Sequence, residues 1–507
     1  MLSKVQSYGL AGLEGFAVTV EAAYTGGTEG YETVGLPDAA VKESRERVST
    51  AIRHSGIPYP FGRIIVNLAP ADRKKEGTVY DLPIALAILG AGGQIPSLPE
   101  GSVVLGELAL DGTVRPISGV LPMLIDAYAH GFTRFFVPFD NAAEASYIDG
   151  AAVFPVRTLG QLVRFLQNRE DIPTAATKHY ESEQSVAKFD FSEIKGQTAA
   201  KRAAEVAVAG AHNMLLCGTP GSGKTMLARA IPSILPEMTF AEALEVTKIH
   251  SVTGALKGTN GLITERPFRA PHHGASGAAL IGGGSKAMPG EISLAHNGVL
   301  FLDEFPEFRR DVLEALRQPL EDGEVTVSRA YATVTYPSRF MLIAAMNPCP
   351  CGNRGSRTKP CTCSQMAIRR YASRISGPLL DRIDLHIEMT EVGYSEITER
   401  RPAESSEAVR ERVKAARERQ RERFKNDGIR TNAEMSGRLL QKYCAPSGES
   451  ERMLSAAFQK LQLSARAYQR VLKVARTVAD LDNSDEILPR HYAEAIQYRS
   501  MELLNNL

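Results

Sequence analysis

Three short stretches of the chain carry residues whose types and spacing suit phosphate chemistry. The first, MLLCGTPGSGKTMLARAI (214–231), reads as an apolar strand, a glycine-rich loop and the start of a helix. Within it Gly218, Thr219, Pro220, Gly221, Ser222, Gly223, Lys224 and Thr225 fit the spacing G-x-x-x-x-G-K-T. Glycines at those places let backbone N–H groups close around phosphates at a helix N-terminus. Lys224 is then placed to reach the β- and γ-phosphates of ATP, and the Thr225 hydroxyl to hold Mg²⁺. The second stretch, GVLFLDEF (298–305), is an apolar strand ending in two carboxylates. Asp303 sits where a carboxylate supports the Mg²⁺, and Glu304 where one orients and polarises the attacking water. The third, FMLIAAMNP (340–348), ends in Asn347, a polar side chain able to position the same water. A strand merely capped by acids is the alternative for the second stretch taken alone. Downstream of a phosphate loop, the set describes ATP hydrolysis, in which the protein supplies mainly positioning and charge stabilisation.

A fourth stretch, NPCPCGNRGSRTKPCTC (347–363), holds four of the six cysteines as C-x-C-x₉-C-x-C. Four thiolates from Cys349, Cys351, Cys361 and Cys363 suit tetrahedral Zn²⁺, with Zn–S about 2.3 Å. The polar spacer GNRGSRTKP is rich in turn residues, so it can fold back and bring the pairs together. Structural zinc, free thiols and disulfides are the competing readings. A catalytic zinc needs an open position, and four thiolates leave none. The expectation is a structural clip that braces the loop after Asn347 and stays outside the chemistry. Arg354, Arg357 and Lys359 on the spacer could meet DNA or simply face water. A metal site on His272 and His273 is disfavoured, because adjacent side chains diverge and no carboxylate is spaced to help.

The rest of the sequence must position these groups. Its 507 residues allow about three domains. The composition is that of a soluble globular protein, 43% hydrophobic and 23% charged. A net charge of +1 confines any nucleic-acid surface to a local patch. The N-terminal MLSKVQSYGLAGLEGF lacks the apolar run of a signal peptide, and no segment has the roughly 18 apolar residues of a membrane span. A cytoplasmic protein with no membrane partner is expected. Reduced thiols there favour metal over disulfide.

Four regions differ in character. Residues 1–168 mix β-like runs such as RIIVNLAP with helical ones such as DLPIALAILGAGG, an α/β domain. Residues 169–190 are polar and aperiodic, as in a linker. Residues 191–395 form a second α/β region, and 396–507 are helical in pattern.

GTPGSGKT, LFLDE, AAMNP and GPLLDRIDL, in this order, resemble an AAA+ ATPase. The resemblance implies that Asn347 is sensor 1. It implies that Arg382 is the arginine finger completing a neighbouring subunit's site, and Arg466 in LSARAYQR the sensor 2 arginine of a helical lid. A finger acting in trans implies a ring, by analogy a hexamer. Taken alone, each arginine could equally be a solvated charge or a salt-bridge partner. More than sixty residues separate the phosphate-loop helix from LFLDE, beyond what a plain crossover needs. The excess includes RPFRAPHHGASGAALIGGGSKAMPGEISLAHNG (266–298), whose Gly and Ser content predicts mobile loops. Arg266, Arg269, His272, His273 and Lys286 give it a basic bias. Next, PLEDGEVTVSRAYATVTYPSRF (319–340) alternates like a hairpin with Arg329 near its tip. Arg329, Arg269 and Lys286 are the candidate DNA contacts, a structural hairpin with a chance arginine being the alternative for Arg329.

These insertions resemble the AAA+ branch with a helix-2 insert and a pre-sensor-1 hairpin. RPFRAPHH, ALIGGG and PGEISLAHNGVLFLDE are similar to the ComM (YifB) family of magnesium chelatase-like bacterial proteins. That resemblance covers essentially the whole chain. It implies a ring-forming, ATP-driven motor on branched or single-stranded DNA, acting in branch migration during natural transformation or recombination, with recombination proteins as possible partners. Family members without cysteines at 349–363 mean that the family alone does not require zinc. Metal insertion into a tetrapyrrole, and a scaffold whose ATP site only sets assembly, are the rival readings.

The N-terminal motifs ETVGLPDAAVKESRERV, KKEGTVYDLPIALAIL and GELALDGTVRPISGV resemble a Lon-protease-like domain of ribosomal S5-like fold. Active members use a Ser–Lys dyad. Asp81 stands in the serine's place and Leu121 near the lysine's, so no peptidase activity is expected. Arg63, Arg73, Lys74 and Lys75 could form a basic patch or an ordinary solvated face. In the last region VRERVKAARERQRERFK (409–425) carries eight basic and three acidic side chains. It is either a phosphate-contacting helix or a helix whose charges are paired locally.

Overall fold

A computed structural model describes residues 1–25, 28–181, 189–256, 261–284, 287–329, 332–393, 396, 398, 403–461 and 463–499. The chain divides into two compact units, Met1–Ser182 with Thr239–Thr264, and Glu183–Met238 with Glu265–Leu507. The second α/β region thus lends 26 residues of its own sequence, 239–264, to the first unit, which no local pattern announced.

In the first unit, Leu2–Ala11, Glu14–Thr25, Arg63–Ala69 and Gly30–Val34 lie side by side in that order. The first three run antiparallel, and the last pair is parallel with Thr33 opposite Val66. The helix Asp81–Ala91 packs on this sheet and is buried at almost every position, as its unbroken apolar run DLPIALAILGA demands. Ser102–Val104, Arg134–Pro138 and Ala152–Val156 form a small parallel sheet. The lent segment enters as the helix Phe240–Val252, capped by Thr239 and Glu242. Ser251 there donates to the buried Glu144 carboxylate at 3.0 Å. Residues 169–181 and 189–190, the described parts of the expected linker, contain no helix or strand.

The second unit is built on a five-stranded sheet in the order Phe268–Arg269, Val299–Leu302, Met341–Met346, Met214–Gly218, Leu385–Met389, with every pair parallel. Its three central strands are buried along their length, which is why they read as continuous apolar runs and not as alternations. One face is covered by Thr198–Gly210 and the C-terminal helices in a single core; the other by helices around Phe305, Leu313 and Leu379. Helices dominate the C-terminal region, with Ser406–Arg423, Arg438–Cys444, Glu449–Lys460, Ala465–Leu481 and Pro489–Gln497.

Two basic features of the sequence turn out to serve the fold. Ser406–Arg423 buries Val409, Val413, Ala416 and Gln420. Its cations are spent on neighbours: Arg412 on Glu205 and Glu404, Lys414 on Glu237, Arg417 on the Val208 carbonyl, Arg419 on Asn483 and Asp485, Arg423 on Asp480. These pairs are made mostly with other segments of the protein and not locally along the helix. Lys75 corrects the expected basic patch. It is fully buried and donates to the carbonyls of Pro70 and Arg73.

The last strand is tied to the helices by buried polar groups. Asp384 accepts from the Asn213 N–H at 2.9 Å and from Arg470 at 2.5 Å, with His212 Nδ1 3.7 Å away. Arg499 donates to the Ile383 carbonyl at 2.9 Å and lies 3.0 Å from His386 Nε2.

Candidate nucleotide site and cysteine clip

The phosphate loop, the two carboxylates and Asn347 all leave the carboxyl ends of adjacent parallel strands, the edge where open α/β sheets bind ligands. Gly218 is required where the loop starts, since a Cβ there would lie 2.4 Å from the Met389 carbonyl oxygen. Lys224 opens the following helix, Lys224–Ala230. Its ammonium donates to the carbonyls of Gly218 at 2.6 Å and Thr219 at 2.9 Å, and to Asn347 Oδ1 at 3.3 Å. Burial lowers its pKa, with Asp303 among the groups opposing. These acceptors are weak ones for a buried cation, and phosphate oxygens are the stronger partners such a cage suits. Thr225 Oγ1 donates to Asp303 Oδ2 at 2.8 Å, so the two oxygens expected to serve Mg²⁺ already face each other. A hydroxyl beside a carboxylate fits that hard cation.

Glu304 follows with its backbone in the left-handed region, φ 52° and ψ 44°. A non-glycine residue held there costs on the order of 1–3 kcal/mol, and such strain concentrates at functional sites. Its carboxylate Oε2 lies 2.9 Å from His273 Nδ1. His273 packs against His272, ring centroids 4.1 Å apart, and edge-on to Phe308. His273 therefore supplies a partner for the Glu304 carboxylate, a contact that the adjacency of the two histidines in sequence did not suggest. Gln197 was also missed. Its side-chain amide donates to the carbonyls of Ser222 at 3.0 Å and Thr390 at 2.6 Å, holding the phosphate loop from one flank. No motif surrounds it in KGQTAAKR.

The predicted arginines fall elsewhere. Arg382 is 7% exposed and donates to the Pro378 carbonyl at 2.7 Å and to the Glu321 carboxylate. Arg466 is exposed in the first turn of Ala465–Leu481. Both act on Glu321: the hydrogen bond from Arg382 holds its carboxyl below the usual range, against the effect of burial, and the charges of Arg382, Arg466 and Arg470 add to it. Arg269 makes a two-pronged pair with Glu291, both contacts 2.6 Å, so its charge is satisfied inside the protein. Lys286 lies outside the described residues. The hairpin is present as Glu324–Arg329 and Ala332–Pro337, with Arg329 at the end of the first strand, opposite Ala332.

In the first unit Asp81 is buried against Arg47, with contacts of 2.8 and 3.0 Å, and accepts from the Leu108 N–H. Burial, opposed by Arg47, pushes its carboxyl up to about 6. Leu121 is fully buried.

The four cysteines converge. Cys349 Sγ lies 3.4 Å from Cys351 and 3.6 Å from Cys361, and Cys351 lies 3.7 Å from Cys361. All four sulfurs fall within 4.8 Å of one another. The sulfur–sulfur edge of a tetrahedron with Zn–S of about 2.3 Å is ~3.8 Å, whereas a disulfide brings sulfurs to about 2.05 Å. The donor set therefore fits a tetrahedral thiolate-loving ion, and it is the one such cluster among the described residues. Glu391 anchors the far side of the spacer, accepting from Ser356 Oγ at 2.5 Å and the Arg357 N–H at 3.2 Å.

Comparison with known proteins places this geometry. Residues 190–397 match the family described as magnesium chelatase, subunit ChlI; residues 20–141 match subunit ChlI of Mg-chelatase; residues 403–499 match its C-terminal family. The chain is 44% identical to competence protein ComM of Haemophilus influenzae over 99% of this chain and 98% of that one. It is 43% identical, with the same coverage, to the uncharacterised protein YifB of Escherichia coli K12. It is 45% identical to the uncharacterised protein Rv2897c of Mycobacterium tuberculosis over 95% of each. The chain belongs to the ComM (YifB) family of magnesium chelatase-like proteins.

Proposed function

We propose that the protein is an ATP-hydrolysing ring motor acting on DNA, a helicase that promotes branch migration in natural transformation or recombination. The observation carrying this reading is the assembly of Lys224, Thr225, Asp303, Glu304 and Asn347 at one sheet edge, with a hairpin joined directly to the strand that ends in Asn347. The likeness to competence protein ComM supplies the biological setting. Lys224 and the loop amides bind the phosphates, Thr225 and Asp303 serve Mg²⁺, Glu304 polarises the water and Asn347 senses the γ-phosphate. Arg382 and Arg466 act as trans finger and sensor 2 of a hexamer. A change at Asn347 passes along Met341–Met346 to the hairpin base, where the Ser338 N–H donates to the Gly323 carbonyl at 2.8 Å. DNA is gripped chiefly through its phosphates, giving salt-dependent and sequence-independent binding.

The remaining parts fit this scheme. Residues 1–168 form a Lon-like domain without peptidase activity, and 396–507 the lid. Cys349, Cys351, Cys361 and Cys363 hold structural Zn²⁺. Among the described residues no helix is long and apolar enough to cross a membrane, in keeping with a cytoplasmic motor.

The magnesium chelatase families matched along the chain favour a second reading, an ATPase that drives metal insertion. The separating experiment is ATP turnover with and without branched DNA, alongside a strand-exchange assay on a synthetic Holliday junction. Stimulated turnover with junction movement supports the motor. Turnover indifferent to DNA, with no junction movement, overturns it.

A further inference from the structure

The cysteine clip touches the phosphate loop. The Gly352 N–H donates to the Cys349 carbonyl at 3.0 Å, a tight turn inside the first cysteine pair. That turn holds Gly352 at φ +79° and seats it on Pro220. A Cβ on Gly352 would stand 2.7 Å from Cγ and 2.8 Å from Cδ of Pro220, and 3.9 Å from Cγ of Asn347. The clip is thus one wall of the loop that binds phosphate, in addition to being the continuation of Asn347. A second wall is Gln197, which bonds the Ser222 carbonyl. Both walls are fastened to consecutive residues: Gln197 to the Thr390 carbonyl, and the clip's spacer, through Ser356 and Arg357, to the Glu391 carboxylate. Pro220 and Ser222, two of the four variable positions between Gly218 and Gly223, are therefore held between supports that share one anchor.

We infer that the four-cysteine clip sets the conformation of the phosphate loop through Gly352, so that nucleotide affinity depends on metal occupancy of Cys349, Cys351, Cys361 and Cys363. This rests on the reading of those cysteines as a zinc site. With the four sulfurs gathered, Gly352 is fixed against the proline ring. Without an ion, four thiols crowded within 4.8 Å lose what draws them together, and the turn carrying Gly352 is released. The loop then has one wall in place of two, and ordering it falls to the nucleotide.

The test uses the full-length protein and measures two quantities on each sample: zinc per chain by elemental analysis, and Kd for a fluorescent ATP analogue at constant Mg²⁺. Zinc-loaded protein should hold one zinc per chain. Stripping it with a zinc-selective chelator, followed by desalting, should weaken analogue binding about tenfold, and added zinc should restore it. Gly352→Ala should keep its zinc and still bind the analogue about tenfold more weakly, because the new Cβ overpacks the proline ring. Gly352→Ala with Pro220→Ala, which deletes the two ring atoms in the way, should recover the part of the affinity lost to the clash, the strain of alanine at φ +79° remaining. That rescue also separates a specific contact from general misfolding. One zinc per chain, with affinity unmoved by stripping and by Gly352→Ala, overturns the inference and leaves the zinc site standing. No zinc and four titratable thiols after a zinc-replete preparation overturn the zinc site, and the inference with it.

Discussion

His273 Nδ1 lies 2.9 Å from Glu304 Oε2, so the carboxylate proposed to polarise water is already engaged by a loop that leaves the sheet at Arg269. An Oε2 in close contact with a histidine ring nitrogen is less available to a water molecule, so in the proposed hydrolysis His273 must yield or turn for Glu304 to polarise water. The contact joins two stretches 31 positions apart, the basic glycine-rich insertion and the acidic strand end.

Hydrolysis should respond differently to the two partners. Glu304→Gln should bind ATP and turn it over at least about a hundredfold more slowly, since general base catalysis contributes 10²–10⁴-fold. Lys224→Ala should instead lose affinity for ATP itself. His273→Ala should leave binding intact and raise turnover in the absence of DNA, narrowing the difference that DNA makes. Steady-state turnover with and without DNA, together with nucleotide Kd, checks all three. Near-normal turnover in Glu304→Gln removes it as the base, and an unchanged DNA-free rate in His273→Ala removes the restraint.

Asp384 offers a stability test independent of catalysis. Burial pushes its carboxyl up, but Arg470, with His212 and Lys473 behind it, more than offsets this and holds it below the usual range. A depressed folded-state pKa contributes stability that is fully present above the unfolded carboxylate's pKa, about 3.9, and is lost as pH falls through the lower folded value. Asp384→Asn leaves the part-buried Arg470 without its counter-charge, which should cost about 3 kcal/mol. Thermal melts at neutral pH should show the loss. Repeated below about pH 4, they should show it shrinking, because the unfolded chain's Asp384 then takes up a proton that the folded carboxylate, held below the usual range, does not. A loss that stays constant into acid would count against the ion pair as its source.

These examples show what the sequence could and could not reveal. The phosphate loop was legible because glycine spacing, a strand and a helix start are all local. The carboxylates and Asn347 were legible because parallel strands buried on both faces leave unbroken apolar runs. The hairpin was legible from its alternation, with Val325, Val327 and Tyr336 buried and Thr326 and Thr335 exposed. Contacts made by loop trajectories were not legible: neither His273 on Glu304 nor Gly352 on Pro220 leaves a periodic trace. Charge was misleading for a related reason. The cations of Ser406–Arg423 find Glu205, Asp480 and Asp485 on other segments, and Lys75 is buried among backbone carbonyls, so net charge along a stretch did not measure charge at a surface.

Arg382 now carries a sharper question than its motif posed. Its guanidinium is turned inward to Glu321 and the Pro378 carbonyl. A finger acting in a neighbour's site would have to exchange Glu321 for a phosphate when the ring closes. Arg382→Ala and Lys224→Ala should each be inactive alone. Mixed, they should recover part of the turnover, because some interfaces then join an intact loop to an intact finger. The recovery should peak near equal proportions. No recovery, with mixed assemblies confirmed by mass, returns Arg382 to a structural partner of Glu321.

The hairpin gives the most direct test of motor action. Its strands pair from Glu324 with Pro337 to Arg329 with Ala332, so Arg329 is the last residue of the first strand. The base is fixed twice. The Ser338 N–H bonds the Gly323 carbonyl, and the Tyr336 hydroxyl donates to the Ala287 carbonyl at 2.9 Å, linking hairpin and insertion. Met341 begins the strand that ends beside Asn347, so base and sensor belong to one continuous element. A cation at the far end of such a lever can push on a phosphate without touching the nucleotide. Arg329→Ala should therefore leave ATP affinity and basal turnover within about twofold of the parent, since Arg329 is not among the groups proposed to hold the nucleotide, while junction movement falls by an order of magnitude or more. The salt dependence of DNA binding should also flatten by about one counter-ion per contacting subunit. Arg329→Lys should retain part of the movement, since it keeps the charge and loses only the planar fork. Unchanged junction movement in Arg329→Ala, with DNA binding intact, would make the hairpin a brace for the sensor strand and nothing more.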